Sequence, residues 1–400
     1  MRKLLILSLG VFFATHIFTG CSKSTTLSKN EISALLNKVA DRQMANFKYS
    51  TKGSAGFLHD HGIDAWTNAV LYIGLSDWAK TSDNKSYYKW LYNIGETNFW
   101  DMPENFAKNK RYGLYHADEL CIGQFYLEMF DVYKEEKIIT SALSRMKYIM
   151  ENPPGIIGDS SGLGAAQDET LNLYDVEMSA KNKRRWTWCD ALFMAPPLYT
   201  HMSSLQNDNS YIDYMHKEFM DTYNHLFDND NGLFFRDDSY FEKQENNGQK
   251  IFWGRGNGWV VAGVARILKY MPANYPDRPF YENLLIKHID RLLELRDENG
   301  FWRASLLDPK GYPSPEASAT ALITYAMAYG VNSGILDKRQ YMPHIEKSWQ
   351  ALISVVDKNG KLGFVQPIGA DPRKVTKDMT AVYGVGAFLM AGSEIFQFAK

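Results

Sequence analysis

Two kinds of apolar run alternate along the chain. In residues 31–47, Ile32, Leu35, Leu36, Val39, Ala40 and Phe47 recur at helical steps with polar residues between them, the stripe of a helix that buries one face. In AWTNAVLYIGLSDWA, residues 65–79, small and apolar positions go nearly all the way round, as in a helix covered on most sides. Striped segments follow at 87–98, 137–150, 211–227, 280–296 and 340–356, and the uniformly apolar ones begin near Ala65, Ala117, Asp190, Gly258, Ala317 and Met379. The pattern predicts six outer helices alternating with six inner ones.

The turns repeat as well. DNDNGLFF at 228–235, DENGFW at 297–302 and DKNGKLGF at 357–364 each follow an outer helix, and each offers Asn-Gly where positive φ is needed. Gly232, Gly300 and Gly360 are 68 and 60 residues apart, a spacing that suggests stacked helical hairpins. Six hairpins can form an open superhelical scaffold or close into a ring. Runs such as GVGAFLMAG (384–392) suit helices crowded on both sides, which favours the all-α closed ring.

Composition narrows the function classes. With 400 residues and 45% hydrophobic positions the chain can fill a large core, while a formal net charge of −2 and no long basic run argue against a nucleic-acid partner. Aromatics reach 14%, with 10 Trp and 24 Tyr, an excess that suits rings stacking on sugar faces. No Cys or His pair has zinc-ligand spacing. HDH at 59–61 comes nearest, and a loop pair of that kind is more often solvated.

At the N-terminus, Arg2 and Lys3 precede an apolar run, residues 4–18, too short to span a bilayer. FTGC then resembles a lipoprotein cleavage box, with Cys21 as the lipidated first residue. Phe18 departs from the usual aliphatic residue there. The expected organisation is a signal peptide (1–20), a polar leader (21–30) and one catalytic domain (31–400), giving an exported bacterial lipoprotein of the cell envelope, the alternative being ordinary export with Cys21 incidental. Membrane contact would be through that anchor alone. Cys121 and Cys189 remain, either as a disulfide or as small buried hydrophobes.

Candidate chemistry gathers where inner helices begin. In a ring the inner helices run parallel, so their N-termini share a rim whose unpaired N–H groups favour anions. Asp64, Asp118 with Glu119, Asp190, Arg255 with Asn257, Glu316 and Asp378 all fall at such junctions. Asp64, Glu316 and Asp378 read as helix caps. Asp190, in RWTWCDALFMAPP (185–197), is either a cap or an acid, and its pairing with Asp118 suits two carboxyls of different proton affinity. Arg255, in WGRGNGW (253–259), can hold an anion or bridge to a carboxylate.

HADELCIGQ, WTWCDALFMAPP, FWGRGNGWVVAGVARIL, SLLDPKGYPSPEAS and LGFVQPIG, in this order over nearly all of the mature chain, resemble the unsaturated rhamnogalacturonyl hydrolases of glycoside hydrolase family 105. The resemblance implies an (α/α)6 barrel. It also implies removal of a 4,5-unsaturated uronic acid from the non-reducing end of lyase-generated oligosaccharides, pectin-derived ones foremost. In that chemistry an aspartic acid protonates C4, water adds at C5, and the hemiketal opens. By motif, Asp190 matches the general acid and water-activating base and Asp118 the second active-site aspartate. Arg255, Trp253, Asn257 and Trp259 match the pocket-lining segment, and Trp188 and His116 flank the two acids. Many relatives carry histidine where this chain has Arg236, which favours a different uronide or an added sulfate, or else merely bridges Asp237 or Asp238. No metal or organic cofactor is called for.

Three other readings stay open. One is a conventional inverting glycosidase with Glu316 as partner to Asp190, and another is a glycan-binding lipoprotein without turnover. A sugar epimerase fits less well, because only His116 neighbours a candidate motif among the 9 His.

Overall fold

A computed structural model of the chain describes residues 28–49, 61–103, 116–151 and 186–400. Cys21 and the His59–Asp60 part of HDH lie outside the described residues.

The first helix, α1 (Lys29–Ala45), opens on a capping box in which Ser28 Oγ accepts the Glu31 N–H and the Glu31 carboxylate accepts the Ser28 N–H. That cap starts the helix ahead of residue 31, so the end of the expected leader belongs to the fold. Inner helices follow as α2 (Trp66–Ser82), α4 (Ala117–Tyr133), the pair α6 (Ala191–Met194) and α7 (Pro196–Gln206), α9 (Gly254–Tyr270), α11 (Ala317–Asn332) and α13 (Val382–Phe396). Between them run the outer helices α3 (Lys85–Thr97), α5 (Lys137–Glu151), α8 (Ser210–Leu226), α10 (Arg278–Glu294) and α12 (Lys338–Ser354).

The inner helices close on themselves. α2 packs on α4, α4 on α6 and α7, these on α9, α9 on α11, α11 on α13, and α13 back on α2. The result is an (α/α)6 toroid. At the closing contact the backbones nearly touch: a Cβ added to Gly74 would lie 2.1 Å from the Gly386 carbonyl oxygen, and one on Gly386 equally close to that of Val70. Only glycine allows this approach. The three expected turns recur too, with Gly232, Gly300 and Gly360 at φ 64°, 95° and 82°. In each, an aspartate (Asp228, Asp297, Asp357) accepts the N–H of the Asn before the glycine.

Three inner helices depart from the expected starts. WGRGNGW is itself helical, so α9 begins at Gly254 rather than Gly258; Gly254 serves close packing, since its Cβ would meet the Arg303 carbonyl oxygen at 2.3 Å. α13 begins at Val382 rather than Met379. The run after Asp190 is not one helix, because Pro196 and Pro197 supply no N–H to the carbonyls of Leu192 and Phe193. Gln124 Nε2 instead donates to the Phe193 and Met194 carbonyls at 2.8 and 3.0 Å, and the Leu192 carbonyl lies against Gly263, where a Cβ would come within 2.2 Å.

The far end of the ring is closed by charge. Arg266, with no exposed surface, donates to Gln124 Oε1 (2.9 Å), Glu128 Oε1 (2.9 Å) and Asp77 Oδ2 (3.3 Å), and Lys269 bridges the same two carboxylates. These cations sit at the C-terminal ends of inner helices, where the dipoles favour them. Cys121 and Cys189 are free thiols, both buried.

Candidate active site

The opposite rim carries the residues singled out by sequence. Trp66 at the start of α2 meets Trp259 in the first turns of α9 (centroids 6.1 Å apart) and Tyr383 at the start of α13 (5.3 Å). Trp259 also packs on Phe193 (4.8 Å). These contacts bring three helix N-termini to one aromatic floor.

Asp190 stands beside that floor. Its backbone is helical (φ −62°, ψ −27°) and its side chain caps nothing, so the cap expectation is replaced by a buried carboxyl, 9% exposed. Burial raises its proton affinity above the usual carboxylate range, and the charges of Arg236 and Arg255 and the Cys189 thiol only partly oppose this. Arg236 is positioned by its carbonyl, which accepts the Cys189 N–H at 2.8 Å, and its guanidinium pairs with Asp237. Burial alone would weaken that cation, but Asp190 and Asp237 together favour it.

Asp118 lies in the first turn of α4. His116 precedes it as N-cap, Nδ1 accepting the Asp118 N–H at 3.3 Å and lying 4.0 Å from Asp118 Oδ2. The His116 ring packs on Trp188 at 4.5 Å. The Asp118 turn and the Asp190 segment therefore adjoin through two aromatic rings.

The WGRGNGW residues face inward from the floor. Arg255, 1% exposed, donates to the carbonyls of Gln366 and Pro367 and lies over Trp253 (4.4 Å) and Tyr383 (5.1 Å). Among the described residues its hydrogen bonds go to these carbonyls and to the Tyr383 hydroxyl (3.2 Å) rather than to a bridging carboxylate. Trp253 donates Nε1 to Gln366 Oε1 at 3.2 Å. Asn257 is fully buried and clamps the strand that leads to Arg236: its Oδ1 accepts the Phe234 N–H and its Nδ2 donates to the Phe234 carbonyl. That strand, β2 (Leu233–Phe234), pairs antiparallel with β1 (Phe227–Asp228).

Among the expected caps, only Glu316 behaves as one. Its two oxygens take the N–H groups of Ser318, Ala319 and Gln366 with the Ser318 hydroxyl, which leaves no oxygen to act as a partner for Asp190. Asp378 is exposed and caps no helix. Asp64 also caps nothing, and burial raises its proton affinity. The sequence reading missed Cys189, Gln366 and Tyr383, whose roles depend on contacts with residues far along the chain. Among the described residues no group of three His, Cys, Asp or Glu is placed to hold a metal ion.

A six-hairpin ring with a buried carboxyl of raised proton affinity on an aromatic rim is a glycosidase architecture, and the comparisons agree. The chain matches the model of Glycosyl Hydrolase Family 88 over residues 35–399 and belongs to that family. A relative from Formosa agariphila, described as unsaturated 3S-rhamnoglycuronyl hydrolase, is 38% identical over 84% of this chain and 85% of its own. One from an Alteromonas species, described alike, is 34% identical over 84% and 78%. Among solved structures, a glycosyl hydrolase family 88 protein from Bacteroides vulgatus superposes with a TM-score of 0.78 at 26% identity, covering 93% of this chain and 100% of that one. A protein described as a polysaccharide lyase gives 0.78 at 27% identity, covering 92% and 98%.

Proposed function

We propose that this glycosidase removes a 4,5-unsaturated uronic acid from the non-reducing end of lyase-generated oligosaccharides by hydrating the double bond. The observation that carries the proposal is Asp190: a buried carboxyl, not spent on a helix cap, with raised proton affinity. Asp190 gives its proton to C4, the positive charge that develops at C5 is shared with the ring oxygen, and water adds at C5 while Asp190 takes up a proton from it. The hemiketal then opens and the neighbouring sugar leaves. Asp118 is the second carboxyl, steadying the cationic stage, with His116 and Trp188 beside it. Arg236 is the cation for the uronate carboxylate. Trp259 forms the floor, while Arg255, Trp253 and Asn257 hold the walls in place.

The two rhamnoglycuronyl relatives support rhamnose as the leaving sugar, and Arg236 beside the acid supports an anionic substrate. Export with a lipid anchor on Cys21 is part of the proposal and rests on the FTGC box; labelled fatty acid should enter the wild-type chain and not Cys21→Ser.

The test is to incubate purified protein with unsaturated uronyl disaccharides from pectin-, glucuronan- and ulvan-type polymers, with and without sulfate, and follow the ultraviolet absorbance of the double bond. Loss of absorbance with release of the neighbouring sugar is expected. The lyase description of one structural relative gives a second reading with the opposite sign, in which absorbance rises on intact polymer. No change on any substrate would leave glycan binding without turnover.

A further inference from the structure

Cys189 takes no part in the reaction as written, yet among the described residues it supplies the hydrogen bond to the Asp190 side chain. Its Sγ lies 3.3 Å from Asp190 Oδ1. Both atoms rest against Gly256 in the first turn of α9, where a Cβ would fall 3.1 Å from Sγ and 3.5 Å from Oδ1. The cysteine is held on its other side as well: it is fully buried, and its N–H is tied to the Arg236 carbonyl.

We infer that Cys189 is a positioning residue for Asp190, donating S–H to Oδ1 so that the transferable proton resides on Oδ2, the oxygen turned to the sugar. The inference rests on Asp190 being the proton donor. A neutral carboxyl has one O–H and one C=O. The carbonyl oxygen of a neutral carboxyl is the better acceptor, so S–H aimed at Oδ1 favours Oδ1 as the C=O and Oδ2 as the O–H. When Oδ2 gives its proton to C4, the S–H bond persists, and Oδ2 recovers a proton from the water that adds at C5.

A thiol suits this task better than a hydroxyl. Being a weak donor, it orients the carboxyl without stabilising the carboxylate strongly, so the acid strength set by burial survives. Burial and the nearby carboxylate push the Cys189 thiol well above its ordinary range, which keeps its hydrogen in place at working pH. A side chain at position 256 would press on the thiol and on the Trp253 ring, each 3.1 Å from its Cβ, and would touch the carboxyl.

The experiment compares Cys189→Ala, Cys189→Ser and Asp190→Asn on an unsaturated uronyl disaccharide, with pH profiles of kcat and kcat/KM. It also follows the infrared S–H stretch of each variant that retains the thiol. Cys189→Ala should lower kcat roughly ten- to a hundredfold with KM within about twofold, and move the alkaline limb upward because the carboxylate has lost a donor. Cys189→Ser should restore most of kcat and move the limb downward by about one unit. In the wild type an S–H band should titrate together with that limb, and it should not do so in Asp190→Asn.

Wild-type kcat and an unmoved limb in Cys189→Ala would overturn the inference, as would an S–H spectrum indifferent to Asp190→Asn. Should Cys189→Ala fail to fold, the serine variant and the wild-type band decide. Turnover retained in Asp190→Asn would instead remove the assignment of Asp190 itself.

Discussion

His288 Nε2 lies 3.1 Å from Asn257 Oδ1, the same oxygen that accepts the Phe234 N–H. The imidazole donates from Nε2, and Nδ1 is buried with no hydrogen-bond partner among the described residues. Through this pair an outer helix, α10, braces both the first turn of α9 and the strand leading to Arg236.

The brace makes stability depend on pH. Burial depresses the His288 pKa to about 3, whereas in the unfolded chain it titrates near about 6.5. Between these values the unfolded chain binds more protons, so the contribution is full above about 6.5 and is lost as pH falls toward 3. Urea unfolding between pH 6.5 and 4 should show this slope, and His288→Gln, which retains a donor but does not titrate, should flatten it. An unchanged slope would mean that another group sets it.

Asp190→Asn should fold at least as well as the wild type while losing about 10²–10⁴-fold in turnover. The carboxyl caps nothing, so no cap is lost. Its raised pKa means the folded state binds the extra proton, so its stabilising contribution is present below the unfolded value near about 3.9 and is lost as pH rises through the folded one. Thermal melts at neutral pH with parallel assays would check both halves.

Arg236→Gln should raise KM for an unsaturated uronide by roughly tenfold, as expected for loss of a charge-assisted contact to a carboxylate. The alkaline limb should also move upward, since Arg236 opposes the raised proton affinity of Asp190. Unaltered KM would place the uronate carboxylate elsewhere.

Gly386→Ala tests ring closure. The new Cβ would sit 2.1 Å from the Val70 carbonyl oxygen, backbone that cannot rotate away, so a loss of about 1–3 kcal/mol or more is expected in urea unfolding. A neutral result would mean that α2 and α13 can separate freely.

Arg266→Met should cost about 3–5 kcal/mol, because Asp77 and Glu128 would be left with Lys269 as their shared cation, and with the Tyr270 hydroxyl on Glu128, in a buried setting. Gln124 would also lose the guanidinium that orients it toward the Phe193 and Met194 carbonyls. Activity should therefore fall along with stability, as parallel unfolding and rate measurements would show.

The alternation of apolar patterns by itself determined the order of outer and inner helices, because the stripe of a half-buried helix is written in local sequence, but not the break at Pro196 that divides the third inner one in two. The Asn-Gly turns were equally plain, since positive φ is a local demand. Helix starts were less legible. WGRGNGW looks like a loop because glycine is usually read as freedom, whereas Gly254 answers to Arg303 and Gly256 to Cys189, contacts that local sequence does not record.

The candidate site divides the same way. Asp190 and Glu316 look alike in sequence, each a carboxylate ahead of an apolar run. Tertiary structure made Glu316 a cap with both oxygens occupied, one by the N–H of Gln366 fifty residues on. Among the described residues it left Asp190 with helical backbone, no N–H bonded to its side chain, and the Cys189 thiol as its hydrogen-bond partner. Residue type and local spacing decide whether a carboxylate can do chemistry. How many donors meet it in the folded chain, and how much water they displace, decides whether it keeps its proton.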